Sequence, residues 1–370
     1  RLELQAQGFK TDLTNFDLST APDSRAWEAI LKAAGANQNS ARPREYPDLM
    51  EPTASNRAIV VWEEDPLRGQ NPSAEIDAAC AAILSGPIQF NLDASAGNYM
   101  LLPHLALLKH LTQTLNDRAM LALGEGNREA AWTNLLAATR LVTAWNPEPV
   151  EISHRVRVGN ATLVFKATWQ VLQTNGWTDN QLAALQREWE TANFLSRLPE
   201  VEAFRRAGDL KALETDTPAS QTPEGAMYED AKRLLLFYRD REIECRNAVQ
   251  ARTWIQMRQM PGVTNTVLFE PKQRYGRFAM SLQQRRISMG IIGEGSSLLQ
   301  SAAEAEAERR VVISALALER YRGRYNRYPE TLRALAPEFL KSVPTDFVTG
   351  QPLPYRVAEG GHFLLYSVGL

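Results

Sequence analysis

Apolar positions recur every three to four residues through most of the chain, and that period predicts helices. The pattern gives helices over Ile76–Leu84, Leu101–Gly124, Arg128–Trp145, Val150–Thr174, Thr178–Ala192, Pro199–Glu214, Tyr228–Met260 and Tyr275–Ile292. Gly86-Pro87 stops the first of these, and Gly124-Glu125-Gly126-Asn127 joins the next two into a helical hairpin. Thr178 with Gln181 three residues on has the form of a capping box, in which each side chain satisfies an orphan helix donor. Before Ala74 the pattern is irregular. Asp23 or Ser24 caps a short helix through Trp27, Ile30 and Leu31, a polar proline-rich loop follows, and Ala58–Trp62 reads as an isolated strand. Phe90–Asp93 reads as an extended link, Thr264–Phe269 as a short strand or helix start, and the polar Thr215–Gly225 as an internal linker.

The last stretch has the clearest grammar. Leu298 to Tyr321 holds no proline or glycine and is rich in good helix formers. Leu298, Ala302, Ala305, Val312 and Leu316 lay an apolar stripe on one face, interrupted at Arg309. Gly323 supplies a C-terminal cap, because glycine enters the left-handed region without steric cost. Pro329 opens a short second helix, which folds back through Leu332, Leu335, Phe339 and Leu340. Asp346–Gly350 then reads as a turn, Leu353–Val357 and Phe363–Ser367 as paired strands, and Glu359-Gly360-Gly361 as the hairpin turn between them.

The expected fold is mainly α: an irregular multi-helix array of helical hairpins, followed by a small α+β C-terminal module of a long helix and a β-hairpin. The segments are 1–70, irregular with a short helix; 71–293, a helical domain; and 294–370, the terminal module. The run Ala130, Ala131, Leu135, Ala138, Leu141 resembles a helix pair of tetratricopeptide type, but it does not recur at a fixed period, so no regular solenoid is expected.

Within the module, Gly323, Arg324, Tyr328, Pro329, Val343, Pro344, Asp346, Gly350, Pro352, Tyr355, Gly360, Gly361, Tyr366, Ser367 and Gly369 stand in a characteristic order. That order resembles the end of the G-type pseudopilins of type II secretion. It also resembles exported proteins of planctomycete and verrucomicrobial type that carry this ending after a long helical region. The resemblance covers about a sixth of the chain. It implies the hairpin fold, a cell-envelope setting and a protein partner there. G-type pseudopilins bind calcium through acidic residues after the hairpin. Asp346 matches such a position, so the resemblance implies calcium at Asp346, with the rest of the acidic set falling beyond Leu370. The apolar N-terminal helix of a polymerising pseudopilin is not in the sequence. The chain opens on Arg1, and its first residues read as the start of a soluble portion that follows a signal or anchor. On this reading the protein is exported, and membrane attachment would come only through that anchor.

Composition adds limits. A 370-residue chain with 44% hydrophobic and 23% charged residues is ordinary for a globular protein. Its formal net charge of −2 argues against a nucleic-acid partner held by bulk electrostatics. No window reaches the roughly 18 apolar residues of a membrane span. Cys80 and Cys245 leave two readings open, a disulfide or two separate buried thiols.

Catalytic motifs do not stand out. Of the four histidines, His104 and His110 lie six residues apart on one predicted helix and face different ways, and His362 sits at the hairpin turn. His154, beside Glu151, Arg155 and Arg157 at a helix start, is the candidate for a polar pocket. Glu63, Glu64 and Asp65 read as a solvated acidic turn, and Glu188 and Glu190 diverge along their helix. Gly290–Ser297 reads as a helix joint, and the basic and aromatic run through Arg274, Arg277, Arg285 and Arg286 as a solvated face pairing with Glu304, Glu306 or Glu308. Trp132, Trp145, Trp169, Trp189 and Trp254 read as core. Two functions remain open: a non-catalytic envelope scaffold or interaction protein, or a hydrolase acting on an envelope polymer from a groove in the helices. Two carboxylates with raised pKa in one pocket would favour the second.

Overall fold

A computed structural model describes residues 1–20, 27–33, 74–216, 224–260, 263, 298–358 and 361–370. Its helices are α1 (Leu2–Ala6), α2 (27–33), α3 (Ala74–Ser85), α4 (His104–Gly124), α5 (Arg128–Thr143), α6 (Glu151–Leu172), α7 (Asp179–Thr191), α8 (Leu198–Asp216), α9 (Glu224–Ala248), α10 (Trp254–Arg258) and α11 (Leu298–Tyr325). Strands β1 (Tyr355–Ala358) and β2 (His362–Leu365) pair antiparallel, with Tyr355 opposite Leu365 and Ala358 opposite His362. The fold is therefore mainly helical with one small terminal sheet. The readings at 36–57, Ala58–Trp62, Glu63 to Asp65, Thr264–Phe269, Arg274 to Arg286 and Gly290–Ser297 lie outside the described residues.

One apolar cluster organises most of the molecule. It joins Leu108, Leu111 and Leu115 of α4, Leu135 and Leu141 of α5, Val164 of α6, Trp189 of α7, Leu316 of α11 and Leu365 of β2. Helix α11 lies against α6 and α7. Residues 312–319 of α11 are buried all round rather than on one stripe, because the chain at Leu332–Leu340 closes over the remaining side. The hairpin α8–α9 forms a second unit. Leu210, Leu234, Phe237 and Tyr238 enclose Leu4 and Phe9, and Phe204 meets Phe16 edge-on with centroids 5.1 Å apart. The segment Ala94–Tyr99 crosses α8 at Gly208, where a β-carbon would sit 2.5 Å from Asn98 Oδ1. A side chain at 208 would push Asn98 aside.

Local signals were accurate where local chemistry decides. Thr178 and Gln181 make both bonds of the capping box. Tertiary contacts moved other boundaries. The helix expected over Tyr228–Met260 ends at Ala248 and restarts at Thr253, because the N–H groups of Trp254 and Ile255 donate to the carbonyls of Phe347 and Val348. Gly323 does not end α11. The helix runs on to Tyr325, and Asn326 takes the left-handed position at φ 54°. Arg324 and Tyr325 both reach Glu338, which holds that last turn against the following segment. Pro329 opens no helix; a short 3-10 turn, Leu332–Leu335, follows instead. The strands are displaced from the expected spans because Leu353 N–H turns to the Pro344 carbonyl, and Ser367 and Val368 turn to the Asp346 carboxylate.

Candidate functional site

The polar groups cluster in three places. The first is the corner between α5 and α6, with the inner face of α6. His104, the first residue of α4, stacks on Phe90 at 4.3 Å between centroids, and its Nε2 lies 3.1 Å from Glu148 Oε1. Both are buried. Burial works to raise the Glu148 carboxyl, but the hydrogen bond and charge of His104, with help from Ser153, outweigh it and hold the group below its usual range. His154 is also buried, and burial, reinforced by the charges of Arg157 and Arg197, pushes its imidazole down to about 3.

Arg157 is the centre of this face. It is 7% exposed. Its Nε donates to the Val142 carbonyl and its Nη1 to the Asn193 carbonyl, each at 2.8 Å, and its guanidinium lies 4.9 Å from the Phe194 ring centre. Val142 is in the last turn of α5, and Asn193 stands just past the end of α7. Arg157 thus closes the C-terminus of α5, where the orphan carbonyls and the macrodipole favour a cation, and ties it to the link after α7. Among the described residues no carboxylate pairs with it. Burial, with the nearby charges of Arg197 and Arg309, lowers its pKa to about 10.

The second cluster joins α8 and α9. Arg206 is wholly buried; its Nη1 donates to Glu242 Oε2 at 2.7 Å and its Nε to the Lys10 carbonyl at 2.8 Å. Arg246 also pairs with Glu242. Asp209 accepts hydrogen bonds from Tyr238 and from Asn98. Burial raises the Asp209 carboxyl despite those bonds. Arg205 pairs with Glu151, and Glu151 also holds Arg155. Glu202 is buried, and its Oε2 has no partner among the described residues.

The third is Asp346. It is fully buried; Oδ1 accepts from Val348 N–H at 3.0 Å and Ser367 Oγ at 2.8 Å, and Oδ2 accepts from Val368 N–H at 3.2 Å. Its backbone closes the turn with Gly350 and Gln351. Calcium takes six to eight oxygen ligands. Here one carboxylate stands with both oxygens engaged, and no group of three metal-binding side chains forms among the described residues. Among the described residues, the work of this carboxylate is to pin the end of the hairpin.

The structure brings His154 together with Arg157, but turns Glu151 and Arg155 to a separate contact with Arg205. His104 sits apart in its pair with Glu148, and His362 is exposed. Glu188 pairs with Arg140 and Glu190 accepts from Gln186. Glu306 pairs with Arg309 and Arg310 of its own helix. Trp145, Trp189 and Trp254 are buried, while Trp132 and Trp169 pack against the core from its edge. Cys80 and Cys245 are free buried thiols, and burial pushes both up. Burial raises five carboxyls, Asp117 to about 7 and, in direction, Asp209, Glu244, Glu308 and Glu319. No charged neighbour contributes at Asp117, the other four accept hydrogen bonds from Tyr238, Arg241, Thr162 and Tyr328 respectively, and none of the five acts on the charge of another. Sequence reasoning missed Asn160 and the Arg206–Glu242 pair. The one available signal was the adjacent pair Arg205-Arg206 in a stretch that also carries Glu202 and Asp209.

Comparison with known proteins returns no matching family model, no matching curated protein and no matching solved structure. Among the described residues, no helix is long and apolar enough to cross a membrane.

Proposed function

We propose that this chain is a non-catalytic scaffold or interaction protein of the cell envelope, linked to secretion, whose C-terminal hairpin module docks a protein partner. The observation that supports the reading is a row of exposed apolar side chains at alternate positions: Leu364 at 42%, Tyr366 at 48%, Val368 at 54% and Leu370 at 41% exposed. Alternate residues of an extended chain share one side; strand β2 ends at Leu365, and Gly369 at φ 79° turns the chain before Leu370. Exposed apolar side chains grouped at one end of a fold are the mark of an interaction surface. Asp346 holds this strip in place from beneath through Ser367 and Val368. The envelope setting rests on the resemblance of the module to G-type pseudopilins.

The test is cross-linking in the native cell, with fractionation and protease accessibility. The double substitution Tyr366→Glu and Val368→Glu alters exposed positions only, so thermal stability should hold while a cross-linked partner outside the cytoplasm is lost. An unchanged cross-linking pattern, or a freely cytosolic protein, would overturn the proposal.

A further inference from the structure

Buried donors in folded proteins find acceptors, so a group of them without one calls for an occupant. His154, Arg157 and Asn160 stand three residues apart on α6, a spacing that places them on one face. His154 Nε2 and Asn160 Nδ2 are buried without a partner among the described residues. Arg157 spends Nε and one Nη1 hydrogen on the two carbonyls. Its Nη2 has no partner among the described residues. Helical side chains lean towards the helix N-terminus, which directs Asn160 towards Arg157 and Arg157 towards His154. The end of α5 offsets part of the guanidinium charge, by about half a unit. Arg197 and Arg309 also act on Arg157, each paired with a carboxylate, Glu200 and Glu306, and the Glu148 carboxylate acts on His154. Arg157 itself has no carboxylate partner among the described residues.

We infer that this face of α6 binds one small oxyanion, of the phosphate or carboxylate kind, with Arg157 as the charged donor and His154 Nε2 and Asn160 Nδ2 completing the set. Water would satisfy the hydrogen bonds but not the charge. Of the three side chains, Arg157 keeps the most exposed surface, at 7%. This inference stands apart from the docking role of the hairpin, and either can fail without the other.

The experiment is calorimetric titration of the full chain with inorganic phosphate at constant ionic strength, with acetate as a second arm and chloride as the control. Saturable binding of phosphate or acetate beyond chloride is expected, and the tighter of the two identifies the kind of oxyanion. Asn160→Leu should weaken it about tenfold, the effect of losing one hydrogen bond to a charged acceptor. An NMR titration of the His154 imidazole should move to higher pH when the anion is present, a response that a purely structural face would not give. Arg157→Gln should abolish binding; if it fails to fold, Asn160→Leu and the His154 titration still decide. Heats equal to chloride, or unaltered binding in Asn160→Leu, would overturn the inference.

Discussion

Arg206 and Arg157 are two buried arginines in one molecule, and their charges are met in opposite ways. Arg206 has a formal counter-ion, Glu242, which it shares with Arg246. Arg157 has none among the described residues and instead meets two backbone carbonyls, Val142 in the last turn of α5 and Asn193 in the link after α7. Beside α8 and α9, Glu202 keeps an acid oxygen without a partner among the described residues, and on α6 His154 and Asn160 keep side-chain nitrogens without one. A full charge matched by a full charge depends on one side chain. A charge matched by backbone carbonyls depends on the placement of whole helices.

The sharpest way to break this contrast is Glu242→Gln. It keeps the shape and removes the anion hydrogen-bonded to Arg206, leaving only the more distant charge of Glu202, so urea unfolding should show a loss of about 3–5 kcal/mol. A loss under about 1 kcal/mol would mean that the Lys10 carbonyl alone meets the charge. Next comes acid sensitivity. The folded-state value of His154, about 3, lies below its ordinary 6.5, so the unfolded chain takes up a proton that the folded state refuses. This contribution is complete above pH 6.5 and is lost as pH falls towards 3, at roughly 1.4 kcal/mol per unit. His154→Phe should flatten the stability profile between those limits; an unchanged slope would assign the acid sensitivity to other groups. The smallest effect is expected from Arg157→Leu. It strands two carbonyls but also removes a buried cation, for a net loss of about 1–2 kcal/mol. A loss equal to that of Glu242→Gln would erase the distinction between the two regions.

The same contrast shows what could be read in the sequence. Helices α3 to α8 were legible because their apolar period, glycine stops and the Thr178–Gln181 cap act within a few residues. The break between α9 and α10 was not, because its cause is a pair of carbonyls about ninety residues further along the chain. Arg157 was visible as a neighbour of His154, but its acceptors are backbone carbonyls of α5 and of the link after α7, and backbone atoms leave no mark in a sequence. Arg206 is more remote still: one partner is the carbonyl of Lys10, 196 residues away. Asp346 was picked out by resemblance, and the structure gives it a hydrogen-bonding role that the spacing alone did not suggest.

Helix α11 has a consequence for how the molecule is made. Its buried middle is enclosed by α6 and α7, whose residues precede it by more than a hundred positions. During synthesis those helices emerge well before the element that covers them. Contacts of such long sequence separation form slowly, and uncovered apolar surface on a partly made chain invites aggregation. The order of manufacture therefore leaves the apolar faces of α6 and α7 waiting for α11, a window in which a chaperone or rapid completion of the chain decides the yield of folded protein.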